Sequence, residues 1–192
     1  MSDVINLRSY IDSSLAKTLV LLDVQRDSVA DDATSSDVSA AIGNCRSVLR
    51  HARGCGLQVA FTRWLGRGAF FGDDTTFAGW LDGFEPTRQD RIFDRGQPSC
   101  YSNPLFEEVI GQGGGQFILA GITGETACLA TAVDAFHRGH KMIFLADASA
   151  CQRLGEFNPS DVHRVVTKVI GQFGEVMTTS AWIAASSRRA RG

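Results

Sequence analysis

The sequence predicts an α/β fold, a single-domain, three-layer α/β/α, Rossmann-like architecture built on a mostly parallel sheet of about six strands. Two observations predict it. Short, nearly continuous apolar runs alternate with segments whose apolar residues recur at helical spacing, the signature of strands joined by helical crossovers. The chain is also 192 residues long, the size of one domain with a substantial core.

The elements follow in chain order. Thr18–Val24 (TLVLLDV) is short, rich in Leu and Val and broken by a single acid, which suits a strand buried on both faces. Val38, Ala41, Ile42, Cys45, Val48, Leu49 and Ala52 form the stripe of an amphipathic helix, capped near Ser35–Asp37 and stopped at Gly54-Cys55-Gly56. Leu57–Thr62 reads as the second strand. Ile92-Phe93 reads as a short third strand. Asn103–Ile110 opens a helix with an early proline, and Gly111 with Gly113–Gly115 ends it. Gln116–Gly121 is a buried strand, and a helix runs from about Glu125 to Arg138. Lys141–Ala146 is the next strand. Val162, Val165, Val166, Val169, Ile170 and Phe173 repeat at helical spacing, and Glu175–Thr179 reads as the last strand. Residues 1–16 and 184–192 are expected to be an N-terminal extension and a flexible basic tail around a domain over 17–183.

Composition excludes several classes. A net charge of −2 with 21% charged residues argues against a general nucleic-acid binder or a polybasic membrane protein. No apolar run approaches the length of a membrane span, and the first residues lack the pattern of a signal peptide. Five cysteines without CxxC spacing suggest neither a disulfide framework nor a zinc site, and thiols of this kind suit a reducing, cytoplasmic location.

In parallel sheets ligands bind at the carboxyl ends of the strands. Asp23 stands there inside an apolar run, an expensive position unless the acid is paired or opens into a site. Gln25 follows two residues on. Cys128 sits at the start of the helix after Gly121, where free N–H groups and the helix dipole lower a thiol pKa and hold an oxyanion; the alternative is a small buried residue. Cys45 falls on a core stripe, and Cys55, Cys100 and Cys151 have no acid or base beside them in sequence. Arg95 emerges from the third strand, as a partner for Asp23 or as an ordinary surface cation.

These segments together resemble the isochorismatase-like cysteine hydrolases over roughly Lys17 to Trp182. Leu21-Leu22-Asp23-Val24-Gln25 matches the family's strand ending in Asp-x-Gln. Gly121 … Cys128, with Thr131-Ala132, Asp134-Ala135 and Gly139, resembles its nucleophile segment, and Phe93-Asp94-Arg95 with Pro98–Asn103 resembles its middle motif. The resemblance implies Cys128 as nucleophile, Asp23 as base and Arg95 as the cationic third residue. It further implies an oxyanion hole from the backbone at Thr123, Gly124 and Cys128 after a cis peptide near Thr123-Gly124. The implied reaction is hydrolysis of a small amide-like C–N bond through a covalent acyl-enzyme.

Two departures stand out. Arg95 replaces the family's usual Lys, and Arg stays protonated where Lys can shuttle a proton. The turn from Gly121 to Cys128 is one residue longer than the common pattern. The alternative is therefore a catalytically weakened or inactive member that acts as a small-molecule binding or scaffolding protein. A third reading, enol-ether hydrolysis, uses the same fold without a cysteine, and the presence of Cys128 counts against it.

The histidines (His51, His137, His140, His163) lack ligand spacing, so neither a catalytic metal nor a cofactor is expected. Gln25, Trp64, Phe71, Trp80, Tyr101 and Ala127 are the candidate substrate-binding residues. Trp64, Phe70, Phe71, Phe77 and Trp80 crowd one Gly-rich stretch that reads as a lid, a packed helix or a subunit interface, with Arg63 and Arg67 as candidate carboxylate partners. The expected partner is a small molecule, with no nucleic acid or membrane, and the resemblance implies a homo-oligomer, dimer or tetramer.

Overall fold

The computed structural model of the chain describes residues 18–29, 36–65 and 79–189. Phe70, Phe71, Phe77 and Arg67 lie outside these residues. The elements are β1 (Thr18–Leu22), α1 (Ser36–Gly54), β2 (Gln58–Trp64), β3 (Arg91–Arg95), α2 (Pro104–Gln112), β4 (Gln116–Gly121), α3 (Leu129–His137), β5 (Lys141–Ser149), α4 (Pro159–Ile170), β6 (Glu175–Met177) and α5 (Thr179–Arg189).

The strands form one six-stranded sheet in the order β3-β2-β1-β4-β5-β6, and every neighbouring pair is parallel. Alternation along β1 sorts the core into two layers. Val20 and Leu22 join Phe106 and Ile110 of α2, Ala132 and Ala135 of α3, and Val162, Val166 and Ile170 of α4. Leu19 and Leu21 face the other way, onto Cys45, Val48 and Leu49 of α1 and Trp182 of α5. The chain moves outward from β1 through β2 to β3, then restarts at β4 and moves the opposite way. Right-handed crossovers therefore place α1 on one face and α2, α3 and α4 on the other. The strand order reverses between β1 and β4, and the crevice at their carboxyl ends is where such sheets hold ligands.

Several boundaries differ from the sequence expectation. β1 stops at Leu22 because Asp23 turns to a φ of 51°, which no strand residue adopts. β3 extends to Arg95 and β5 to Ser149. The tail expected from 184 is helical through Arg189 as part of α5. A mostly small and polar helix carries little apolar signal, so one residue makes the difference. Trp182 is fully buried and meets His51 edge-on at 5.3 Å. Asp147 fixes the helix start by accepting from the Thr179 N–H and hydroxyl at 2.7 and 2.8 Å, and the Ser186 hydroxyl lies 2.8 Å from His51 Nε2.

Gly121 is the one position where the sheet itself demands glycine. Its φ is 141°, and a Cβ there would stand 2.1 Å from the Leu22 carbonyl oxygen. This close approach brings the ends of β1 and β4 together.

Trp182→Ala is expected to cost about 3–5 kcal/mol of folding stability, read as a lowered urea midpoint. An unchanged midpoint would show that α5 does not belong to the cooperative core.

Candidate active site

At the carboxyl ends of β1, β3 and β4 the chain assembles a pocket of about 320 Å³. Asp23, Arg95 and Thr123 form its polar end, with Trp64 and Pro98 as walls. Ser28, Thr126, Ala127 and Gln152 complete the lining.

Asp23 and Arg95 are both buried. Arg95 Nη2 donates to Asp23 Oδ2, and Nη1 donates to the carbonyls of Gln97 and Pro98, both at 2.8 Å. The guanidinium lies over the Trp64 ring at 5.2 Å, a favourable contact for a cation on an aromatic face. The Thr123 hydroxyl donates to the same Asp23 oxygen at 3.2 Å. Asp23 and Thr123 are the non-glycine residues with positive φ among those described, at 51° and 64°. Backbone held in this region costs on the order of 1–3 kcal/mol and persists where surrounding contacts over-determine it. Here those contacts are the ion pair and the Thr123 hydroxyl bond.

Gln25 is fully buried, and its role differs from the expected substrate contact. Its amide clasps the main chain of Trp64, donating to the Trp64 carbonyl at 3.2 Å and accepting from its N–H at 2.7 Å. Gln25 thus holds Trp64 at the pocket wall and does not line the cavity. Trp80 packs edge-on against Phe61 at 5.3 Å. Tyr101 points to the other end of the sheet, where its hydroxyl lies 2.7 Å from His140 Nδ1. Neither borders the pocket, and Phe71 lies outside the described residues. Arg63 forms an ion pair with Asp94 of β3.

The segment after Gly121 decides the chemistry. Gly124–Cys128 is a π turn, wider than an α turn. It brings Ala127 to the pocket, whereas the Cys128 side chain is fully buried in the core with its sulfur 4.0 Å from the Ser149 hydroxyl. The extra residue noted in the sequence accounts for this: restoring the usual spacing from Gly121 lands on Ala127. A thiol at a helix start gains from the dipole by about 0.3–1 kcal/mol, while full burial shifts a pKa by up to several units. Burial wins here, and it pushes the Cys128 thiol well above its ordinary range.

Two of the three expected oxyanion donors are also engaged. The Gly124 N–H donates to the Ala150 carbonyl at 2.9 Å, and the Cys128 N–H to the Thr123 carbonyl at 3.3 Å. No peptide among the described residues is cis, and the turn is made instead by left-handed backbone at Thr123. Cys100 and Cys151 are buried as well. Burial raises Cys100 to about 11 and Cys45 to about 12, and pushes Cys151 up as well. Among the described residues no group of three or more His, Cys, Asp and Glu side chains is placed to hold a metal ion, and no helix is long and apolar enough to cross a membrane.

Ser28, Pro98, Thr126 and Gln152 were not anticipated as pocket residues. Pro98 and Thr126 lie within segments already singled out. Ser28 sits in a 3-10 turn after β1 and Gln152 in the loop after β5, where only the strand-end rule points to them.

Residues 17–181 match the family model for the isochorismatase domain. No curated protein matches the sequence significantly. Among solved structures, an isochorismatase from Pseudomonas putida is similar at 22% identity and a TM-score of 0.77, covering 87% of this chain and 90% of that one. A cysteine hydrolase from Pseudomonas syringae aligns at 21% identity and a TM-score of 0.73, covering 91% and 94%. N-carbamoylsarcosine amidase from Thermoplasma acidophilum aligns at 19% identity and a TM-score of 0.67, covering 85% and 96%.

Two outcomes are expected from this geometry. Mild alkylation near neutral pH labels Cys55, the exposed thiol, and spares Cys128, because burial keeps its thiol protonated. Peptide mapping with Cys128 labelled first would contradict its placement. Asp23→Ala strands the Arg95 charge in the interior and costs about 3–5 kcal/mol, measured by chemical denaturation.

Proposed function

The chain belongs to the isochorismatase-domain family, and from that premise we propose that it is a small-molecule hydrolase whose pocket works without a cysteine nucleophile. The family's hydrolase fold is present. The observation that carries the proposal is that Ala127, rather than Cys128, shares the pocket with Asp23 and Arg95.

An acyl-enzyme on an amide needs an activated nucleophile and free donors for the oxyanion. Ala127 offers no nucleophile, and the Gly124 and Cys128 N–H groups already donate to carbonyls. A bond that breaks through proton transfer and water addition suits this pocket better, and an enol ether is such a bond. In that reaction Asp23 takes up a proton from solvent and gives it to the enol carbon. Water then adds to the resulting oxocarbenium carbon, and its proton returns to solvent through Asp23. The hemiketal collapses to a carbonyl compound and an alcohol, so one water is consumed and Asp23 ends as it began. Arg95 stays protonated throughout and holds the carboxyl in place. The volume of about 320 Å³ and the Trp64 wall suit a small, planar substrate, with hydroxyls of Ser28, Thr123 and Thr126 as polar contacts.

A second reading, binding without turnover, is favoured by one observation: the Arg95 Nη groups are already engaged by Asp23, Gln97 and Pro98. A single panel separates the readings. Small amides, ureas, carbamoyl compounds and enol ethers are offered to the native protein and to Cys128→Ser and Asp23→Asn. The expected result is enol-ether turnover that Cys128→Ser preserves within about twofold and Asp23→Asn lowers about a hundredfold. Loss of turnover in a folded Cys128→Ser protein would restore the cysteine acyl-enzyme. Ligand-raised Tm with no turnover of any compound would favour binding alone.

A further inference from the structure

At the amino ends of β5 and β6, the pole of the sheet opposite the candidate active site, lies a cleft of about 470 Å³. It opens between the turn that follows α3 and the turn that follows α4. Phe136 and Phe173 wall it, their rings edge-on at 5.8 Å, and Phe136 is 56% exposed. Gly139, Gly171 and Gly174 line it as bare main chain, and Glu175 contributes an acid.

The electrostatics of this cleft have one sign. α3 and α4 both end here, at His137 and Ile170, so the negative ends of two helix dipoles meet at one place. Glu175 is half-buried, and its Oε2 is buried with no hydrogen-bond partner among the described residues. A carboxylate oxygen withdrawn from water without a donor is costly. Two basic residues share the lining, and neither offsets it. His140 is held by the Tyr101 hydroxyl at 2.7 Å, and burial lowers its pKa, leaving it uncharged near neutral pH. Lys141 is exposed. Burial alone, with no cation opposing it, raises the Glu175 carboxyl above its ordinary range.

We infer that this cleft is a second binding site, for a small primary ammonium compound with a planar apolar body. The ammonium donates to Glu175 Oε2, a charge-assisted bond, near two helix ends that favour a cation. The body packs on the Phe136 and Phe173 rings, whose faces also attract positive charge. A quaternary ammonium would leave Oε2 without a donor. An anion would meet the carboxylate and both dipoles.

The test uses three probes of one shape and different charge: phenethylammonium, 2-phenylethanol and 3-phenylpropanoate. Each is titrated into the full chain, with affinity read by calorimetry and position by amide chemical shifts. The expected result is binding of phenethylammonium at least about tenfold tighter than the alcohol, with shifts at Gly139, Gly171 and Gly174. Glu175→Gln brings cation and alcohol to within about threefold of each other. Phe136→Ala, at an exposed ring, weakens the cation about threefold or more. Circular dichroism confirms that each variant is folded. Absence of saturable phenethylammonium binding below about 10 mM overturns the inference, as does tightest binding of the carboxylate. Shifts confined to the Asp23 pocket overturn it too, as does a preference for the cation that survives in Glu175→Gln.

Discussion

The buried pair of Asp23 and Arg95 is the constraint around which the carboxyl end of this sheet is organised. It ties the ends of β1 and β3, which are not neighbours, across the intervening β2. Two charges withdrawn from water are tolerated only when their remaining hydrogen-bonding capacity is met. The Gln97 and Pro98 carbonyls and the Thr123 hydroxyl meet much of it, and the Trp64 ring covers the guanidinium. Each of these contacts shapes the pocket. The loop after β3 curls back because Arg95 draws its carbonyls inward. β4 ends in left-handed backbone with the Thr123 hydroxyl bonded to Asp23, and Gln25 braces Trp64 from behind.

Helical phase sets the chemistry as firmly as charge does. One residue of displacement along a helical turn rotates a side chain by about 100°. That rotation separates a methyl group in a ligand pocket from a thiol sealed in the core. Conserving charge, size and hydrogen bonding around the pocket means little for thiol catalysis if the sulfur is on the wrong side of the turn.

Much of the fold was legible because its causes are local. Past Gln116 the run to Gly121 has no polar residue to interrupt it, and β4 has the same bounds. The stripe from Val38 to Ala52 is the buried side of α1. Arg95 stood open between a partner for Asp23 and a surface cation, and the ion pair decides for the first. What escaped were features that depend on phase or on single contacts. The one-residue surplus before Cys128 was visible, but which side chain of the following π turn meets the pocket is a tertiary matter, since Gly124 packs on Cys151, Ser149 and Ala150. α5 escaped because Trp182 supplies its anchoring almost alone. Gln25 was read as pointing into the site, since a residue two positions from Asp23 would share its face only if the strand continued, and β1 breaks at Asp23.

The path of α5 has a practical bearing on handling the protein. β6 ends at the same edge of the sheet as the pocket, and α5 runs from there back along the sheet until Ser186 reaches His51 near the end of α1. That is the edge where β2 begins, so the described chain finishes at the pole opposite the pocket mouth. Tethering through the end of α5, to a resin, a sensor surface or a fused reporter, leaves the ligand entrance facing solvent.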